Sequence, residues 1–312
     1  MPENKPERIA AIVVTYNRKR LLGECLDSLL GQSRPADALY IIDNASTDGT
    51  HEYLLDRGLV SSTSRTPEVC YVRMPENVGG AGGFAEGMAR AAGAGFDWLW
   101  LMDDDVLAAP DALDVLVRKK EQLQATHNGP FLLNSLVLAR DQQDGDTLAF
   151  PLREVSASGS PKMVPFHWRL SDIRDKVHDG LYPWICPFNG TFVPARAVRE
   201  VGLPRREFFI YGDETDFQFR AAKAFRLYTV VDSRVYHPRP RPGAFDWKLY
   251  YSVRNMFIVN RHFNHPTLRN FRLVLVGLVM GLRHGRAGTK LMLRAIADGL
   301  AGRLGKRDDL AR

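Results

Sequence analysis

Three consecutive aspartates, Asp103, Asp104 and Asp105, close the apolar run WLWLMDDDV (98–106). Adjacent carboxylates repel one another and are costly to desolvate, so no buried strand carries them in its interior. They mark the point where a strand leaves its sheet, and a positive group is expected to meet them there. On a strand, alternate side chains share a face, so Asp103 and Asp105 point one way while Asp104 points elsewhere. Carboxylates gathered at a strand end are what a divalent cation bridging a diphosphate requires. Mg²⁺ and Mn²⁺ take hard oxygen ligands and neutralise phosphate charge that bare aspartates would repel.

The elements that must position this triplet alternate along the first part of the chain. Strands are predicted over RIAAIVVTYN (8–17), ALYIIDN (38–44), VCYVRMPEN (69–77) and WLWLMDDDV, each followed by a helical pattern. The third of those helices, from about Gly80 to Gly93, is rich in glycine and alanine. This order implies the α/β class, a mostly parallel sheet covered on both faces, with its ligand site at the carboxyl ends of the strands. The polar residues fall where that rule needs them. Thr15, Tyr16 and Asn17 end the first strand, Asp43 and Asn44 the second, Glu76 and Asn77 the third, and the aspartates the fourth. Beyond Phe131 one more strand, FLLNSLVLA (131–139), is expected, then a polar, irregular stretch over 141–180. A strand and short helix over 181–202, a turn entering a helix over 208–225, a strand over 226–237 and helices from Phe245 complete the reading.

With 312 residues and 45% hydrophobic content, the chain can fill a large core. Cys25, Cys70 and Cys186 lack C-x-x-C spacing and read as reduced thiols rather than a disulfide or zinc site. The start MPENKPERIA has no apolar core behind a basic segment, and no run approaches 18 uninterrupted apolar residues. A cytoplasmic chain without a signal peptide or a membrane span is therefore expected. The net charge of +6 is concentrated from Arg234 onward, where carboxylates are few until near the end. A basic tail with an apolar stripe suits the inner face of an anionic membrane or a polyanionic substrate; a solvated helix surface is the alternative.

Taken in order, AAIVVTYNR (10–18), YIIDNASTDGT (40–50), ENVGGAGGF (76–84), LMDDDV (101–106), YGDETDFQFRAA (211–222) and VYHPR (235–239) resemble family 2 glycosyltransferases. These are inverting enzymes of the GT-A type that bind a nucleotide-sugar through a divalent metal. The glycine stretch and the triplet are most similar to the bacterial galactofuranosyl- and rhamnosyltransferase branch. The resemblance implies that Thr15, Tyr16 and Asn17 line a pocket for the donor's base and ribose, and that Asp43 accepts the ring N–H of uracil or thymine. It implies that Asn77, Gly79 and Gly80 let the backbone approach the donor, although close helix packing explains the same glycines. Asp103 would reach the ribose or metal, with Asp104 on the donor side, and Asp105 and His237 would complete the metal site. A nitrogen ligand favours Mn²⁺, and Mg²⁺ also fits.

Inversion needs a general base to take the acceptor's proton, and the family's acidic motif falls on Asp213 and Glu214. Glu214 aligns with the base, where many relatives carry Asp, so the choice between the two stays open. Trp184 is a sugar-stacking platform or a core residue, and Asn189 and Gly190 would lie near the transferred sugar. Arg254 is read as facing the diphosphate or acceptor. The expected partners are a UDP- or dTDP-sugar and a glycan or polyprenyl-linked acceptor, with homo-oligomers open and no nucleic acid. The expected organisation is a GT-A catalytic domain over 1–244, with halves 1–130 and 131–244, and a helical region over 245–312. Competing readings are a nucleotidyltransferase, disfavoured because no glycine lies between Val13 and Leu22, and a non-catalytic sugar-nucleotide-binding protein.

Overall fold

The computed structural model describes residues 6–60, 67–142, 144–156, 161–239 and 246–310. The first four apolar runs become β1 (Ile9–Thr15), β2 (Ala38–Asp43), β3 (Glu68–Arg73) and β4 (Trp98–Asp103), which run parallel in the order β3-β2-β1-β4. Between them lie α1 (Lys19–Leu30), α2 (Thr50–Asp56) and α3 (Gly79–Gly93). Every β1 residue is buried, because the sheet is covered on both sides. Ile9, Ala11 and Val13 pack with the apolar stripe of α1, while Ala10, Ile12 and Val14 pack with Phe84 and Met88 of α3. A Cβ at Gly83 would stand 2.4 Å from Val14, and one at Gly87 2.5 Å from Ile12, so the glycines of α3 let it lie close against β1. The register pairs Thr15 with Asp43 and Val14 with Asp103, which brings the polar strand ends level along one edge.

The strand predicted over 98–106 is shorter than expected. β4 stops at Asp103, and Asp104 and Asp105 lie in a turn, where their carboxylates meet the guanidinium of Arg18. The two-residue β5 (Leu107–Ala108) follows, then α4 (Ala112–Thr126) and the buried β6 (Phe131–Ala139). The stretch read as irregular contains two nine-residue strands, β7 (Thr147–Val155) and β8 (Pro161–Arg169), paired antiparallel with an interrupted register. Polar residues and Pro151 hide them in the sequence, and both features are tolerated at the margin of a sheet.

The chain continues through β9 (Leu181–Tyr182), β10 (Thr191–Pro194), α5 (Arg196–Glu200), α6 (Asp213–Ala221) and β11 (Arg226–His237). β10 is antiparallel to both β4 and β6, β11 is parallel to β6, and β5 is antiparallel to β11. The sheet is therefore mixed beyond β4 rather than mostly parallel throughout. Three helices close the chain: α7 (Lys248–Val259), α8 (Pro266–Arg283) and α9 (Gly285–Leu300). Tyr251, Val253, Phe257, Met292 and Ile296 form a separate apolar cluster among them. The expected boundary at 244/245, and the expected helix start at Phe245, lie outside the described residues.

Candidate active site

The two-residue β5 closes the cluster at the end of β4. β5 pairs Leu107 with Tyr236 of β11, which draws Asp105 alongside His237 at the end of that strand. Nε2 of His237 stands 3.0 Å from Oδ1 of Asp105. Apart from this ion-pair contact, Oδ1 is a buried oxygen with no hydrogen-bond partner. Asp103, Asp105 and His237 each offer one ligand atom, and these atoms all lie within 4.8 Å of one another. Two carboxylates, an imidazole and an unsatisfied buried oxygen fit a divalent cation. Asp104 turns elsewhere, as expected: its carboxylate accepts the Thr15 hydroxyl at 2.7 Å and the Arg18 guanidinium at 3.2 Å.

Arg18 was quoted in the sequence pattern but given no role. Its guanidinium also reaches Asp105 at 2.8 Å, so it and His237 are the positive groups that meet the triplet. The signal was the cationic run Arg18–Lys19–Arg20 directly after β1. Burial, reinforced by the charge of Asp105, pushes the Asp103 carboxyl up to about 7. Burial takes Asp104 up to about 6 against the pull of Arg18. On Asp105 burial acts the same way, but His237 and Arg18 outweigh it and hold this carboxylate below its ordinary range. Burial opposes charge on His237, yet the Asp105 and Asp103 carboxylates raise it.

The residues expected to contact the donor divide into walls and struts. Tyr16 is exposed, and Asn17 stitches the loop after β1 to the loop after β2. Its N–H donates to the Ser46 hydroxyl and its side-chain oxygen accepts the Thr47 N–H. Thr15 is buried with its hydroxyl committed to Asp104, so it supports the triplet rather than lining a pocket. Asp43 is fully buried, and its two oxygens accept the Ser46 N–H and the Tyr71 hydroxyl. Asn77 accepts the Gly79 N–H at 2.8 Å. Gly79 has φ +73°, and a Cβ there would fall 1.9 Å from the Phe209 carbonyl oxygen, so this glycine admits the backbone of the acidic turn. A Cβ at Gly80 would meet nothing within 4 Å, so space is open there.

The acidic turn opens α6. Asp213 is buried and Glu214 half-buried. Burial and the neighbouring Glu214 carboxylate push Asp213 well above the usual carboxylate range, with a smaller push from Asp103. Burial, then the charges of Glu214 and Asp103, takes the Cys186 thiol up to about 12, so the turn and the triplet share one electrostatic environment. The backbone leading into the turn is strained: Phe209 and Tyr211 have φ of 67° and 63°, a region costly for side-chain-bearing residues. The side chain of Asn255 holds it, donating to the carbonyls of Phe208, Ile210 and Tyr211 at 3.0, 3.0 and 2.7 Å. Arg254 corrects its expectation. It is fully buried, and its guanidinium is committed to the backbone carbonyls of Phe208 and Gly305. Asp216, in the first turn of α6, is buried and paired with Arg205, Arg220 and His262.

Trp184 lies at 3% exposure in the apolar core against Phe219, which is the core alternative and not an open stacking platform. Asn189 and Gly190 sit beside β4, where the Gly190 N–H donates to the Leu101 carbonyl, two residues before Asp103. The side-chain oxygen of Asn189 is buried without a partner, an acceptor turned toward no protein donor.

Comparison with known proteins agrees with this arrangement. The family described as glycosyl transferase family 2 matches residues 10–133. The galactofuranosyltransferase GlfT1 of Mycobacterium tuberculosis is 32% identical over 236 residues, covering 74% of this chain and 70% of that protein. TarS of S. aureus has a TM-score of 0.58 at 13% identity, over 97% of this chain and 50% of its own. The mannosyltransferase PcManGT of Pyrobaculum calidifontis, solved with GDP-Man and Mn²⁺, has a TM-score of 0.55 at 18% identity, over 95% and 76%. At such identities the two structures show a shared GT-A architecture. Sequence and fold together place this chain in glycosyltransferase family 2.

Proposed function

We propose that the chain transfers galactofuranose from its UDP donor, with inversion, to a hydroxyl of a glycan or lipid-linked glycan in cell-surface polysaccharide synthesis. The observation that carries it is the convergence of Asp103, Asp105 and His237 beside the acidic turn at the carboxyl edge of the sheet. A relative named galactofuranosyltransferase supports the choice of sugar; rhamnose from dTDP is the alternative, and the site would be reached from the cytoplasm.

Glu214 takes the proton of the acceptor hydroxyl while that oxygen bonds the anomeric carbon, and the bond from this carbon to the diphosphate oxygen breaks. Asp213 is the weaker choice for this base, since it is buried while Glu214 is half-buried, and burial and the Glu214 carboxylate push its carboxyl well above the usual range. A divalent cation, Mn²⁺ favoured, on Asp103, Asp105 and His237 would supply positive charge to the leaving diphosphate. Arg18 supplies further charge on the same side. Tyr16, Asn17 and Asp43 bound the donor's base, Gly80 leaves room for its backbone approach, and Asn189 and Gly190 adjoin the sugar. Release of free nucleotide from UDP-galactofuranose and dTDP-rhamnose, each with and without Mn²⁺, tests the reading. Metal-dependent UDP release is expected. Release from dTDP-rhamnose alone would change the donor, and no release from either would overturn the proposal.

A further inference from the structure

α8 carries apolar side chains on two sides, and only one of them is used for packing. On the inner side Leu273, Val274 and Leu278 join the cluster of α7 and α9, and Gly277 and Gly281 approach Ile296 and Thr289 of α9. On the outer side Leu268, Phe271, Leu275, Val279 and Leu282 follow at three- and four-residue steps, the spacing of one helical face. Their exposure runs from 48% at Leu275 and Val279 to 69% at Leu282. At about 1.5 Å per residue this row is roughly 20 Å long. A contiguous exposed apolar face of that kind marks a contact surface.

The charge around it names the contact. Arg272 and Arg283, three turns apart and both exposed, border the row on one flank. Between Asp246 and Asp298 the chain has nine lysines and arginines and no carboxylate. Arg272 lies close enough to Arg269 for the two charges to repel each other. Pairing with the same face of a second copy would set these arginines against one another with no acidic partner. No helix among the described residues is long and apolar enough to cross a membrane. We propose that the outer face of α8 lies in the plane of an anionic lipid surface, its apolar row among the acyl chains and Arg272 and Arg283 at headgroup phosphates. This deepens the proposed use of a lipid-linked acceptor, since α7, which packs on α9, also holds the acidic turn through Asn255. None of Asp103, Asp105, His237, Asp213 and Glu214 is part of the surface.

Sedimentation with vesicles of phosphatidylglycerol and phosphatidylcholine, against phosphatidylcholine alone, tests it in the full chain. Binding is expected only with the anionic lipid and is expected to weaken with salt. Removing two arginines in Arg272→Gln/Arg283→Gln, at about fivefold each, should weaken it by about twenty-fivefold. Phe271→Ser/Leu275→Ser should weaken it at least as much, with an unchanged melting temperature because both side chains are exposed. Equal binding to neutral vesicles, no binding, or binding unaffected in both variants would overturn the proposal. So would a dimer in sedimentation velocity that Phe271→Ser/Leu275→Ser splits. Donor hydrolysis without vesicles separates the two readings: its loss sinks the transfer chemistry, and its persistence without vesicle binding sinks only the lipid surface.

Discussion

The aspartates after β4 and the acidic turn before α6 share one electrostatic environment but are held by different means. The triplet is set by strand register: Val14 pairs with Asp103, β5 pairs with β11, and Arg18 and His237 stand against the carboxylates. The turn is set by side chains that reach back from α7, where Asn255 gathers three carbonyls of the turn and Arg254 ties in a fourth, that of Gly305. Register is distributed over many backbone hydrogen bonds, so one substitution alters charge there without altering shape. A clamp concentrated in two side chains loses shape when either is removed.

The largest expected effect breaks the first half of this comparison. Asp105→Ala should lower sugar transfer by about a thousandfold while the melting temperature stays within a few degrees, because charge is lost and register is not. Retained transfer in a donor-release assay would sink the metal assignment. Asn255→Ala is expected to act on both quantities. It takes the side-chain donor from the Ile210 and Tyr211 carbonyls while Phe208 keeps Arg254, at a cost of about 1–3 kcal/mol in denaturant unfolding, and displaces the turn, lowering transfer by about tenfold to a hundredfold. Wild-type transfer with reduced stability would show that the clamp serves folding alone.

The smallest effect sharpens the charge balance. Asp103 has its folded value raised from 3.8 to about 7. Its contribution to stability is therefore complete below about pH 4 and is lost as the pH rises through 7. In metal-free protein Asp103→Asn, which cannot ionise, should show a smaller decline of melting temperature between about pH 5 and 8 than the wild type. Identical declines would remove the burial argument.

How much of this was legible follows from the range over which each feature is determined. β1, β2 and β4 announce themselves as apolar runs, and the carboxylates fix where β4 must end. The polar ends of the first, second and fourth strands are legible as well, and the register sets them level along one edge of the sheet. β7 and β8 were missed because marginal strands keep neither alternation nor freedom from proline. Trp184 was ambiguous because an aromatic ring suits a core and a sugar equally well, and only burial separates them. Thr15 and Asp43 look like ligand contacts in sequence, yet much of their bonding capacity is used inside the protein. The roles of Arg254 and Asn255 depend on contacts with carbonyls more than forty residues away, which no local pattern encodes.

The clamp also bears on how this chain can be divided. A chimera that keeps the sheet and exchanges everything after α6 for the tail of a relative would retain the aspartates in register. It would also leave Phe209 and Tyr211 in a costly backbone conformation with nothing to hold them. For protein engineering, the helices that look like an appendage in sequence are part of the smallest unit that can be transplanted with its acceptor chemistry, and crossover points belong upstream of the turn or beyond α9.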